Sequence, residues 1–497
     1  MGIVGGLQQL GRRVRSRNRG PQGDMIDAPL LWFSKRDPWT IRDAFEGTQI
    51  FGATGSGKTS GSGQAIAKAF LRCGMGGIVL TAKPDERATW ERYAHQTGRS
   101  NSLVIFSPSN GQMFNFLDYE LSREGDGAGL TKNIVDLLTT MPEVARRGGR
   151  SSGMADDGYW QGALAEMLKN AVEALILATG SIDVPSLYRL IKSAPPSPEA
   201  CRDPEWQERS FCFQCLRRAL ARSLTPGQQL DLDLATDYWL ERFPEIADKT
   251  RSIIVSCFTT MADDFLRSPL RELFSTGTSI TPEATFEGAI IIIDMPTKEW
   301  GVVGRYAQVL WKRVWQQAVE RRPVGADTRP VFLWADESHN FVTSTDQEFQ
   351  STARSARACT VYLTQNLPNY YAAIGGGDAR SITDSLLGCF QTKIFHANGD
   401  HVTNQWAEEM IAKNWTPHIG TSSSNGQHDP RTNKYHNQTS ATVNHSLDPQ
   451  VLAGEFTTLR TGGPFNKFQV DGVLFQPGRC WALTGGPYIR VTFDQRH

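Results

Sequence analysis

Gly52-Ala53-Thr54-Gly55-Ser56-Gly57-Lys58-Thr59 is the stretch on which the reading of this chain turns. It fits G-x-x-x-x-G-K-[ST], the phosphate-binding loop pattern. Thr48-Gln49-Ile50-Phe51 before it reads as a short strand. Gln64 to Leu71 after it predicts a helix with Ile66, Ala69 and Phe70 on one face. That order sets a helix N-terminus, with its partial positive charge, against whatever the loop holds. Glycines let backbone N–H groups turn toward phosphate oxygens without a Cβ clash. The implied ligands are ATP and Mg²⁺. Gly52 to Thr59 and the following Ser60 would form the cradle, Lys58 would reach the β- and γ-phosphates, and the Thr59 hydroxyl would ligate the metal. Lys58 is expected to face solvent as a ligand group.

The rest of the composition bounds the answer without deciding it. A chain of 497 residues exceeds one compact core and implies two or three domains. Hydrophobic content of 39% and charged content of 21% are ordinary for a globular protein. Lys+Arg and Asp+Glu both number 52, so a surface for nucleic acid would have to come from local arrangement. No apolar run approaches the roughly 18 residues of a spanning helix, and no signal-peptide core follows the basic start. The expected location is cytoplasmic. The eight cysteines are scattered; Cys212-Phe213-Gln214-Cys215 lacks a second pair or a nearby histidine, and these thiols read as structural.

Taken in order, residues 1–20 carry Arg12, Arg13, Arg15, Arg17 and Arg19 and no acid. They read as a solvated tail, or as an arm for DNA phosphates or for the anionic inner face of a membrane. Residues 21–45 form an approach segment with Trp32, Phe33 and Trp39 as anchors. Ile78 to Thr81 and Leu103 to Phe106 are further strands, separated by helical Ala88 to Thr97. Residues 119–278 change to helical spacing, as in Trp160, Leu164, Leu168, Val172 and Leu175. They are long enough for a core of their own and read as an inserted all-α domain.

The α/β pattern then resumes through Ala289 to Ile293, Val331 to Ala335, Thr360 to Leu363 and Thr392 to Phe395. Strands alternating with helices predict a mostly parallel sheet. Its two parts are residues 46–118 and 279–497. Thr421 to Ser446 is polar and reads as a mobile loop; His428, His436 and His445 within it lack metal-ligand spacing. Strands joined by glycine turns close the chain, from Phe468 to Val491.

Polar residues follow the strand ends, where ligands bind in open parallel sheets. Asp336-Glu337 is the expected partner of the phosphate loop. Asp336 would hold Mg²⁺ and Glu337 would polarise the attacking water. Asp294 also ends a buried strand but lacks a neighbouring Glu, and ranks second for the metal. Gln365 could sense the γ-phosphate or orient water. Arg354 and Arg357 precede its strand, on a helix expected from about Gln347 to Ala358. A guanidinium from a neighbouring subunit would stabilise the transition state.

At these residues the chain resembles the type IV secretion coupling proteins of the TraG/TraD type, in the HerA–FtsK branch of ring-forming P-loop motor ATPases. The resemblance covers most of residues 46–497: phosphate loop, strand into Lys83, helical insertion, Asp336-Glu337, and Arg354 eleven residues before Gln365. It implies a RecA-like fold and a homo-hexamer in which Arg354, rather than Arg357, acts across subunits and Gln365 is the sensor. It implies an ATP-driven DNA translocase whose helical domain receives a relaxase or secretion-channel partner. Two departures stand out. The family's usual transmembrane helices are absent before the motor. The family's Asp-x-Lys-Gly-Glu run is here Thr81-Ala82-Lys83-Pro84-Asp85-Glu86. A HerA-like DNA pump in genome maintenance or phage defence, and a nucleotide-switched cargo-docking protein, are the competing readings.

Overall fold

The computed structural model describes residues 26–146, 158–411, 413–424, 428–429, 434–435 and 438–496. The arginine-rich arm and His436 lie outside them. A hairpin of β1 (Pro29–Ser34) and β2 (Asp37–Thr40) opens the described chain. Thr40 and Asp43 then cap the helix Ile41–Phe45 reciprocally. The anchors expected here are real for two of three aromatics. Phe33 meets Trp481 edge-on at 5.9 Å and Trp39 stacks on Phe70 at 6.3 Å, whereas Trp32 is exposed.

The body is built on β3 (Thr48–Phe51), β4 (Gly76–Leu80), β5 (Leu103–Phe106), β6 (Ile290–Ile293), β7 (Val331–Ala335), β8 (Ala358–Thr364) and β9 (Thr392–Phe395). These seven are mutually parallel, in the order β9-β3-β8-β7-β4-β6-β5. Most are buried along their whole length. This is why they read as unbroken apolar runs, four consecutive isoleucines in β6, rather than as alternation. Side chains still alternate between two cores. Ile291, Ile293, Leu333 and Ala335 face one side; Ile290, Ile292, Phe332 and Trp334 face the other. The helices Gln64–Arg72 and Glu86–Gln96 cover the second face, with Phe70 and Trp90 against Phe332. The long helix Thr297–Arg321 covers the first.

Between β5 and β6 the described residues form helices, from Phe116–Ser122 to Leu270–Phe274. The chain leaves and returns through a paired neck. Phe114 bridges Thr278, Asn115 donates to the Gly277 carbonyl at 2.9 Å, and Ser279 donates to that of Met113 at 2.8 Å. The helical interior is continuous with the sheet's core, through Phe114 stacked on Trp311 at 4.3 Å and Phe265 against Tyr306 at 5.6 Å. Among the described residues no single helix is long and apolar enough to cross a membrane. The apolar pair Tyr159–Thr179 and Val184–Lys192 is bent by 110°, with Leu168, Val172 and Leu187 inside the helical core.

Two elements differ from their sequence reading. The stretch read as a polar loop holds a ribbon: β10 (Lys413–Ser424) pairs antiparallel with β13 (Gln438–Pro449), and β11 (His428–Asp429) with β12 (Lys434–Tyr435). Trp415, Ile419, Val443 and Leu447 share one face of β10 and β13, an alternation too dilute among Ser, Thr and Asn to register as strands. The helix expected to reach Ala358 spans only Asp346–Thr352, because a turn ending in Arg357 at φ 52° must deliver the chain into β8. An antiparallel hairpin, β14 (Gln469–Phe475) and β15 (Tyr488–Asp494), extends the sheet beyond β9.

Candidate active site

The loop after β3 is tied at its entrance to two neighbouring strand ends. Gly52 N–H donates to the Thr364 carbonyl at 3.3 Å and Ala53 N–H to that of Ala397 at 2.9 Å. Ser56 N–H closes a turn onto Ala53 at 3.0 Å. Gly55 and Gly57 take φ of 77° and 86°, the left-handed region that other residues avoid. A Cβ on Gly57 would also lie 2.6 Å from a Val470 methyl. The chain then enters a π-helical turn, Thr59–Gly63, that runs into the helix Gln64–Arg72. Behind it, Ser62 Oγ–H donates to His396 Nε2 at 2.6 Å, while His396 Nδ1–H donates to the Asp471 carbonyl at 2.7 Å. Burial pushes the His396 imidazole down to about 4 and so keeps it neutral, and the Asp471 carbonyl, which can only accept, places its one proton on Nδ1. Ser60 Oγ accepts from the Gln495 amide at 2.6 Å.

Because β8 lies between β3 and β7, the acidic pair stands one strand away from the loop. Thr59 Oγ–H donates to Asp336 Oδ2 at 2.6 Å. Glu337 takes φ 50° and ψ 45°, a left-handed conformation costing an L-residue about 1–2 kcal/mol. Such strain concentrates at functional sites. One Glu337 oxygen, Oε1, receives three nitrogens: Lys83 Nζ at 2.9 Å, the Gln365 amide at 3.4 Å and Lys58 Nζ at 3.7 Å. The other, Oε2, is buried, with His339 Nδ1 at 3.9 Å and no hydrogen-bond partner among the described residues. Burial raises the Glu337 carboxyl pKa, but Lys58 and Lys83 outweigh it and hold the group below its ordinary value. Lys58 is only 5% exposed, which corrects the expectation of a solvent-facing lysine: Glu337 draws it inward.

Lys58, Thr59, Lys83, Glu337 and Gln365 line a cleft of about 380 Å³, with Ala53, Thr54, Gly55, Arg92 and Lys298 among its walls. The fit to a magnesium nucleotide is good in kind. A hydroxyl and a carboxylate are the hard oxygens Mg²⁺ takes, the remaining positions belonging to phosphate and water. Two buried polar atoms of the site, Ser56 Oγ and Glu337 Oε2, have no hydrogen-bond partner among the described residues.

Other expected residues lie elsewhere. Asp294 is paired with Arg87 at 2.9 Å, and β4 separates its strand from β7. Arg354 is exposed and pairs with Glu46 at 3.0 Å, before the start of β3. β8, seven residues and so about 23 Å long, separates it from Gln365. Arg357 is tied to the carbonyls of Ala326 and Thr328 at 2.8 and 3.1 Å. The sequence marks Lys83 only as the end of the strand that enters into the resemblance, with no role given, and His396 only as a polar residue at a strand end. The structure brings Lys83 to Glu337 because β4 is the neighbour of β7.

Nine strands, seven of them parallel, with a phosphate loop and an acidic strand end on either side of a third strand, define a RecA-like P-loop fold. No family model and no curated protein sequence matches the chain. Solved structures of the bacterial conjugative coupling protein TrwB share its fold. The unbound form aligns with a TM-score of 0.56 at 12% identity, over 99% of this chain and 92% of that one. The complex of TrwB with ADP and Mg²⁺ gives 0.57 at 13%, over 99% and 92%. Its complex with a non-hydrolysable ATP analogue gives 0.55 at 13%, over 99% and 94%.

Proposed function

We propose that the protein hydrolyses ATP and couples hydrolysis to the movement of DNA, as a coupling protein that delivers DNA or a relaxase–DNA complex to a transfer channel. The observation that carries the reading is the contact of Thr59 with Asp336 beside the Lys58–Glu337–Gln365 cluster, at the strand ends of a fold aligned with TrwB over 99% of the chain. Residues 119–278, read as an inserted domain, would meet the cargo.

The loop amides and Lys58 would hold the phosphates, and Thr59 and Asp336 would hold Mg²⁺. Bound there, the metal would neutralise charge on the β- and γ-oxygens. Glu337 would accept a proton from the attacking water; its depressed pKa keeps it ionised for that task. Gln365, 3.4 Å from Glu337, would orient the same water. Arg354 cannot serve its own site from the far end of β8. It fits a donor to a neighbouring subunit in a hexameric ring, where it would stabilise the charge of the leaving γ-phosphoryl group.

ATP turnover measured with and without single- and double-stranded DNA tests the reading. Hydrolysis stimulated by DNA, with displacement of a bound roadblock, is expected of a motor. Nucleotide binding with no stimulated turnover would point to a nucleotide-switched docking protein.

A further inference from the structure

Lys83 stands on the opposite side of Glu337 from the phosphate loop. The strand order β3-β8-β7-β4 puts three strand spacings, about 14 Å, between the strands that carry Lys58 and Lys83. Yet both ammonium groups reach the same oxygen of Glu337, at 3.7 and 2.9 Å. Each therefore leans across the cleft toward the middle.

The backbone around Lys83 is held firmly. The Thr81 hydroxyl donates to the Ile293 carbonyl at 2.7 Å, and the Thr81 N–H to the Gln308 side chain at 3.2 Å. The Ala82 carbonyl accepts from Lys298 N–H at 3.1 Å. The buried Glu86 carboxylate takes the N–H groups of Ala82 and Lys83, at 3.1 and 3.2 Å. The side chain is not fixed in this way. It is 30% exposed, against 7% for the side chain alone of Lys58, lines the cleft, and has a long flexible stem. A cation that only balanced the buried Glu337 charge would need neither the cleft wall nor this rigid mount, since Lys58 is already beside that carboxylate.

A triphosphate seated on the loop brings its terminal phosphate toward Lys58, and so toward Glu337. Two anions would then share a small space. The group able to separate them is the second ammonium.

We propose that Lys83 is a ligand of the γ-phosphate: when a nucleoside triphosphate binds, its ammonium exchanges Glu337 Oε1 for a terminal phosphate oxygen. The site then distinguishes triphosphate from diphosphate through a residue on β4, and Glu337 is freed to meet water. The inference rests on the nucleotide reading of the cleft.

Equilibrium binding of ADP and of a non-hydrolysable ATP analogue, each with Mg²⁺, to the full chain tests it. Lys83→Gln should weaken the analogue about tenfold and leave ADP within about twofold, the size expected for one charge-assisted hydrogen bond. Lys83→Arg, which keeps the charge, should recover part of the loss. ADP binding by each variant also reports an intact loop. Equal weakening of both nucleotides would overturn the proposal in favour of a structural role. No change with either would leave Lys83 a counter-ion of Glu337 and nothing more, and would equally overturn it. If the wild-type chain bound neither nucleotide, the reading of the cleft itself would fail, a result separate from these two.

Discussion

Glu337 and His396 are both buried and both perturbed, with opposite consequences. Glu337 stays charged because Lys58 and Lys83 answer it. Glu337→Gln keeps the shape and loses the proposed base, so ATP should still bind while turnover falls by about 10²–10⁴-fold. Loss of binding in a filter or fluorescence assay would assign Glu337 a structural part instead. His396 stays neutral. Folded, it titrates at about 4; unfolded, near 6.5. The unfolded chain takes up the proton first, so this group costs nothing above about pH 6.5 and destabilises the fold progressively down to about pH 4. The loss amounts to about 3 kcal/mol at the acid end. Denaturant titrations at pH 7 and pH 4.5 should show a smaller drop for His396→Gln than for wild type; equal drops would clear His396 of the effect. At this scale the phosphate loop and Asp336-Glu337 were legible because each is a local pattern. The contacts of Lys83 and His396 were not, since what they touch depends on which strands lie side by side.

Whole strands were easier to read than what decorates them. Most of the seven parallel strands announced themselves as apolar runs because both faces are buried, although β3 and β9 carry the buried polar residues Gln49 and Lys393. The ribbon β10–β13 did not, because both of its faces are largely exposed and its few apolar residues are spread among Ser and Thr. The same exposure makes it dispensable for stability. Its base pairs Lys413 with Pro449, so a short Gly-Ser linker can replace residues 414–448 without moving the flanking chain. The melting temperature should change by no more than about 2 °C, as for surface changes away from the core. A fall of 10 °C or more by calorimetry would mean that the ribbon packs on the body.

For the molecule as a whole, the separation of Arg354 from its own Glu337 means that, on the proposed reading, activity would depend on assembly. Specific ATPase activity should rise with protein concentration, or on adding DNA long enough to template a ring. Inactive Arg354→Ala mixed with inactive Lys58→Ala should regain activity, since some interfaces would join an intact loop to an intact arginine. Activity flat in concentration and a dead mixture would leave Arg354 as the surface partner of Glu46. The neck of the helical region bears on a different matter, the order in which the chain can be built. β5 and β6 are neighbours in the sheet, yet the ribosome completes Phe106 long before it reaches Ile290. At ordinary rates of synthesis the wait is on the order of ten to forty seconds. During it the edge of β5 has no partner. The pairing of residues 113–115 with 277–279 brings the two ends of the insertion together once its helices fold. Folded first, the helical region would act as a splint, delivering β6 to the waiting edge and removing part of the entropy of closing so long a loop.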